Sequence, residues 1–302
     1  MIRLSSMQSS MMKATLATLG ETGEAPHARL HLLGTAGGPT PKLTRSAPAQ
    51  AVEVAGRLYV IDAGNGVARQ INRAGLDLAQ LAFVGITHHH SDHNADLGTL
   101  LHLAWCDSLS TPVEVRGPSP LNEMMNSFFD YAKTDVAVRM EDEGRPPFRD
   151  LVNFSEIEEG VVFEDEYVKI TVARVNHPPM DAFAFRIDTE TRSFVISGDT
   201  APSPGLIELA HGADILVHEA IHLPSIESAV ERSNGSRLRQ HLVNSHTSVD
   251  DLGKIATAAQ VRTLVVSHLV PADAPLHEED WIGPARQTFD GEVVLAHDLM
   301  VL

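Results

Sequence analysis

An apolar run over residues 81–87 leads straight into Thr87-His88-His89-His90-Ser91-Asp92-His93, and a helical pattern follows over 94–106. A run of this kind between a buried strand and a helix is a loop at a strand's carboxyl end, where the ligand sites of α/β folds gather. On an extended loop, residues i and i+2 face the same way. His88 and His90 can therefore share one metal ion while Asp92 and His93 turn towards a second. His89, between two inward-facing neighbours, is expected to point away. Imidazole and carboxylate donors suit Zn²⁺, and a catalytic zinc site keeps a position open for water. A chain with this run is constrained to bring further donors to the same sheet edge.

Three residues have the right type and setting. His177 follows the strand pattern 167–176 and precedes Pro178-Pro179, which restricts its loop. Asp199 closes the strand 193–197, and His268 closes the strand 263–267. Each stands at a strand's carboxyl end, so all three can converge with the first loop. Histidine numbers 16 in 302 residues, more than a packed core needs, and it is the commonest metal ligand. The single cysteine, Cys106, excludes an internal disulfide and a cysteine-based zinc site, and beside Trp105 it reads as a small buried hydrophobe. His102 reads as a packed or solvent-facing histidine, and for His222 and His241 a surface or helix-packing role outweighs one lining the pocket. The glycines of 34–38 are not followed by Gly-Lys-Ser/Thr, so they are not a phosphate loop.

Strand and helix patterns interleave without a linker-like break. Strands are expected over 28–34, 49–55 and 57–61, a helix over 66–74, and a strand over 112–116. In the helix expected over 118–132, Leu121, Met124, Met125, Phe128 and Phe129 form one apolar stripe. Residues 141–166 carry ten carboxylates against Arg145 and Arg149, a solvated surface with a connecting strand or two. Strands follow over 182–187, 214–218 and 292–296, with helices over 203–211, 223–241 (broken at Asn234-Gly235), 249–259 and 279–289. Strands then helices, twice over, suggest two sheets face to face with helices outside. Residues 1–25 read as a disordered leader and 26–302 as a single domain. No stretch approaches ~18 apolar residues and the start lacks a secretory apolar core, so a cytoplasmic protein is expected.

The His88, His90, Asp92, His93 pattern resembles the signature of the metallo-β-lactamase superfamily, and the resemblance runs from about residue 28 to the end. It implies an α/β fold, an αββα sandwich of two mixed β-sheets with helices on both outer faces, and a binuclear metal site at one edge. Carried over by motif, His88, His90 and His177 hold one metal, Asp92, His93 and His268 hold the other, and Asp199 bridges them. The metal expected is Zn²⁺, two per chain, with Mn²⁺ or Fe as alternatives. Asp62, in Asp62-Ala63-Gly64-Asn65-Gly66, matches the superfamily's Asp-x-Gly-x-Gly motif and supports the ligands from behind. Leu33-Gly34-Thr35-Ala36-Gly37-Gly38-Pro39, Arg45, Val217-His218-Glu219-Ala220 and Ser245-His246-Thr247-Ser248 are similar to the branch containing tRNA 3′-processing endonucleases, cyclic phosphodiesterases and zinc-dependent arylsulfatases. In that branch His246 would give a proton to the leaving group, with Glu219 orienting it and Asp92 at the reaction centre. The stretch Val195–Ser203 and the ending Asp298-Leu299-Met300 look closest to the arylsulfatase-like members.

The tRNA-processing enzymes of this branch carry a long protruding arm between the third histidine and the bridging aspartate. Here only 21 residues, 178–198, separate His177 from Asp199, room for two strands and a turn. With 23 Lys+Arg against 40 Asp+Glu the formal net charge is -17, which repels phosphate backbones. Nucleic acid and membranes are therefore not expected as partners, a small-molecule substrate is, and a homodimer is left open. The function expected is a zinc-dependent hydrolase whose metal-bound hydroxide cleaves a small aryl sulfate or phosphodiester. Hydrolytic dehalogenation of an electron-poor chloroaromatic is the alternative, and a tRNA 3′-processing endonuclease or a lactonase carries less weight. A degenerate, non-catalytic metal binder would show a lost ligand position, and none is lost.

Overall fold

The computed structural model describes residues 27–302; the expected leader over 1–25 lies outside the described residues. Fourteen strands form two seven-stranded sheets. The first contains β1 (Arg29–Gly34), β2 (Ala49–Val54), β3 (Arg57–Ile61), β4 (Leu81–Gly85), β5 (Val113–Gly117), β6 (Val152–Glu156) and β14 (Met300–Val301), in the order β14-β1-β2-β3-β4-β5-β6. The second contains β7 (Gly160–Glu164), β8 (Val168–Val175), β9 (Ala182–Thr189), β10 (Ser193–Ile196), β11 (Ile215–Ile221), β12 (Thr263–Val270) and β13 (Glu292–Leu295), in the order β13-β12-β11-β10-β9-β8-β7. Both sheets are mixed. β3 through β6 and β10 through β13 run parallel, and the remaining neighbours are antiparallel.

Strand alternation explains the layering. Successive side chains point to opposite faces, so in β3 Tyr59 and Ile61 enter the layer between the sheets while Leu58 and Val60 face outwards. In β11, Ile215 and Val217 go inwards and Leu216 and Ala220 outwards. Phe83, Phe183, Phe185 and Phe194 fill the layer between the sheets. Helices Val67–Arg73, Leu97–Cys106 and Leu121–Glu143 close the outer face of the first sheet; Pro204–Leu209, Val249–Ala259 and Glu278–Arg286 close that of the second. This is the αββα sandwich that the resemblance implies.

The helix expected over 118–132 runs instead from Leu121 to Glu143. Asp135, Arg139 and Glu143 pair at i, i+4 on its exposed side, and Gly144 ends it with a left-handed φ of 68°. The rest of the acidic stretch supplies β6 and β7, one edge strand to each sheet, where charge discourages pairing with other chains. The two-residue β14 was not expected; it pairs with β1 at His31↔Val301 and Leu32↔Met300. Asp298 fastens that end by accepting from Thr35 N (3.1 Å), Thr35 Oγ1 (2.8 Å) and Ser46 N (2.6 Å). Arg45 donates to Thr35 Oγ1 and to the Ala296 carbonyl. Thr35, Arg45 and Asp298, far apart in sequence, form one knot. No helix among the described residues is long and apolar enough to cross a membrane.

Candidate metal centre

The donors meet at one edge of the sandwich, each placed by a strand end. After β4 the chain stays extended through His88 and His90, then turns into the short helix Ser91–Asn94, which carries Asp92 and His93 in its single turn. His177 follows β8, and Asp199 follows β10 through Gly198, whose φ of 59° makes the turn. The strand expected to end at Ser267 continues through His268 to Val270. Glu219 pairs with Ser267 and Ala220 with Leu269, so His268 is an extra, bulged residue with φ 43°. Bulges re-aim a side chain beside a site, and this one turns His268 towards the other donors.

Two halves result. His88 Nε2 lies 3.0 Å and His177 Nε2 3.1 Å from the same His90 Nδ1. Across from them, His93 Nε2 and His268 Nε2 are 3.2 Å apart, with Asp92 Oδ2 at 3.7 and 3.6 Å. Asp199 stands between. Its Oδ2 is 3.8 Å from His88 Nε2, while its Oδ1 is 3.3 Å from His93 Nε2 and 3.1 Å from His268 Nε2. One carboxylate thus turns an oxygen to each half.

The far nitrogens are held as well. Asp62 Oδ2 accepts from His93 Nδ1 at 2.7 Å, and Asp62 is itself fixed by donation from Thr87 N and Oγ1. His177 Nδ1 donates to the Ser245 carbonyl at 2.8 Å, and His88 Nδ1 sits 3.1 Å from Thr87 Oγ1. Each arrangement leaves the Nε2 lone pair facing the centre, as metal-binding histidines require. Thr87 and Ser245 lie within motifs visible in the sequence, but nothing there distinguishes their backing role from that of any neighbour.

The electrostatics match a cation site. Burial pushes the His88, His90 and His177 imidazoles below the usual range, so they are neutral donors at neutral pH. For His93 burial opposes the charge, yet Asp199, Asp62 and Asp92 outweigh it and hold the ring well above the usual range, so a cation bound there would take the place of its Nε2 proton. Asp199 Oδ1 is buried without a hydrogen-bond partner, an orphaned acceptor that a cation would satisfy. Donor atoms of His88, His90, His177 and Asp199, and of Asp92, His93 and His268, lie within 4.8 Å of one another in each group. Five imidazoles and two carboxylates in two adjoining clusters are suited to a binuclear metal site.

His246 stands over the second half, stacked on His268 with ring centroids 6.0 Å apart and edge-on to His177 at 5.3 Å. Glu219 Oε1 lies 3.2 Å from His246 Nδ1, though not aligned as a hydrogen bond, and accepts from Thr247 N (2.9 Å) and Thr200 N (3.2 Å). Burial disfavours the His246 cation, but Glu219, Asp199 and Asp92 raise its pKa to about 9.

The other histidines divide. His89 turns away, with Nε2 2.7 Å from the Pro118 carbonyl. His102 stacks on Trp105 and pairs with Asp135, and His222 packs near Trp281. His241, expected to pack or face solvent, instead borders the centre, its ring 5.5 to 6.0 Å from those of His177, His90 and His246. It sits on the helix Leu238–Ser245, where one histidine at helical spacing looks like any packing residue.

Residues 57–269 match the model of the beta-lactamase superfamily domain. The chain belongs to the metallo-β-lactamase superfamily. It is a metal-dependent hydrolase by that membership and by its relatives. It is 34% identical over 275 residues to ribonuclease Z of Mycobacterium avium (strain 104), covering 89% of this chain and 95% of the relative. Ribonuclease Z of Mycolicibacterium gilvum (strain PYR-GCK) is 33% identical over 89% of this chain and 93% of its own. Among solved structures, human tRNase Z, short form, superposes with TM-score 0.64 at 22% identity, covering 91% of this chain and 98% of the other. The metallo-beta-lactamase fold protein YhfI from Bacillus subtilis gives 0.69 at 18%, covering 92% and 99%; both likenesses concern the fold.

These relatives correct two expectations. The small aryl sulfate or phosphodiester, with the dehalogenase and lactonase readings beside it, is overturned by matches that carry the name ribonuclease Z over nearly the whole chain. The exclusion of nucleic acid falls with it. Its physical error was to let a net charge stand for the local field at a site, since steering and grip depend on where charges lie. The short link between His177 and Asp199 is as expected: it folds into β9 and β10.

Proposed function

We propose that this chain is a binuclear zinc-dependent endoribonuclease that cleaves a phosphodiester bond at the 3′ side of precursor tRNA, with residues 26–302 acting as one unit. The observation that carries this reading is the 34% identity to ribonuclease Z across 89% of the chain, joined to a donor set with no position missing. His88, His90 and His177 would hold one ion, Asp92, His93 and His268 the other, and Asp199 both. Ions there act as Lewis acids on a phosphoryl oxygen and make water a nucleophile at neutral pH.

The protein's own share is positional. Asp62, Thr87 and the Ser245 carbonyl fix the tautomers of His93, His88 and His177, so the lone pairs face inwards without reorganisation. Glu219, locked by two backbone amides, lies 3.2 Å from His246 Nδ1 and its charge favours the protonated ring. His246 then gives its proton to the departing ribose oxygen, an alkoxide too basic to leave unaided. The test sets 3′-extended precursor tRNA beside an aryl sulfate, a lactone and a chlorinated dinitrile arene. The reading expects one 3′ cut in the RNA and no comparable turnover of the others. Turnover of a small substrate with intact precursor would overturn it.

A further inference from the structure

An acidic chain that cuts RNA needs a local place to hold the strand. Beside the metal centre lies a cavity of about 370 Å³, bounded by the loop 38–47, the helix Val67–Arg73 and the Ser91–Asp92 turn. Four cations line it: Lys42, Arg45, Arg69 and Arg73. Among the described residues, none of the four has a carboxylate oxygen within 4.0 Å. Only Arg149, Lys169, Arg192 and Arg237 share that condition among the described residues, the other cations each being paired. Half of these unpaired cations line one opening that reaches Asp92.

The four are not equivalent. Arg45 is spent on Thr35 Oγ1 and the Ala296 carbonyl, where it anchors the loop. Arg69 and Arg73 are exposed, and their i, i+4 spacing puts them on one face of the helix. Arg73 makes one hydrogen bond, to Gln70 Oε1, and keeps its other N–H groups for a ligand. The acids nearby are committed elsewhere: Asp92, which lines the cavity, belongs to the donor cluster with His93 and His268, Asp96 accepts from Gly66 N, and Asp298 from Thr35 and Ser46. What remains is a cluster of guanidinium donors suited to bidentate recognition of a phosphate.

We propose that this cavity binds a backbone phosphate of the RNA strand next to the scissile bond, with Arg69 and Arg73 as its donors and Lys42, on the loop 38–47, as a further cation in its lining. The inference rests on the ribonuclease reading and supplies the grip that its short β9–β10 link does not. The test is equilibrium binding of fluorescently labelled tRNA to the metal-loaded protein between about 50 and about 300 mM KCl, for wild type, Arg69→Ala/Arg73→Ala and Arg69→Lys/Arg73→Lys. Removing two phosphate contacts should lower the slope of log K against log salt by about 1.4 to 1.8 and weaken low-salt binding tenfold or more, while the lysine pair keeps most of the slope. Wild-type metal content and melting temperature in both variants exclude misfolding as the cause. An alanine pair with the wild-type slope overturns the subsite and leaves the ribonuclease reading standing. Wild type that neither binds nor cuts precursor tRNA, yet hydrolyses bis(4-nitrophenyl) phosphate, overturns both.

Discussion

Asp199 turns one oxygen to each half of the centre, so its loss should be felt twice. Asp199→Ala is expected to bind at most one metal per chain after dialysis and to lose activity by three orders of magnitude or more. Elemental analysis beside a rate assay checks this, and two retained metals would remove the aspartate from its bridging role. His246 makes a different prediction, because a general acid matters only when the leaving group needs a proton. His246→Ala should slow RNA cleavage by ~10²–10⁴-fold and hydrolysis of a nitrophenyl phosphodiester far less. Equal losses on both would mean that His246 positions substrate. At this scale the sequence was most informative where donors are contiguous: His88, His90, Asp92 and His93 declare themselves by spacing. His241 did not, since proximity across 64 residues to His177 is written in the packing of a helix and not in any local pattern.

The sandwich depends on close approaches that its elements permit at a few glycines. A Cβ on Gly98, in the helix Leu97–Cys106, would lie 2.2 Å from the Phe128 ring on the long helix Leu121–Glu143. Alanine is the better helix former by roughly 1 kcal/mol, but here it must push a partly buried ring aside. Gly98→Ala is therefore expected to destabilise the protein by about 1–3 kcal/mol, opposite in sign to its helix propensity. Denaturant unfolding checks it, and a stabilised variant would contradict the packing described. Most elements could be read from periodicity, including the alternation that splits β3 and β11 between two layers. The boundaries that failed did so for tertiary reasons. The long helix is extended by a charge ladder at its exposed side, β14 exists only by pairing with β1, and the bulge at His268 needs Glu219 on the neighbouring strand to be defined.

For the whole molecule, the buried carboxylates and imidazoles of the centre couple metal binding to stability. An ion present at about 1,000 times its Kd stabilises the folded state by roughly 4 kcal/mol. Chelation should then lower the melting temperature by on the order of 10 °C, and zinc should restore it. A melting curve indifferent to chelator would mean that the donors do not hold metal in solution. The fold class was legible because two patterns, strand alternation and strand-end donors, agree on one architecture. A place for nucleic acid was not, because a net charge of -17 averages over the surface and says nothing of the four cations without a carboxylate partner that line one cavity.

The central claim is that two metal ions, held by seven side chains at one sheet edge, cut RNA. It is tested most directly by titrating Zn²⁺ into the metal-stripped protein while following 3′ cleavage of precursor tRNA. Cleavage should rise with zinc and level off at two equivalents per chain. Saturation at one equivalent, or intact precursor at every ratio, would contradict it.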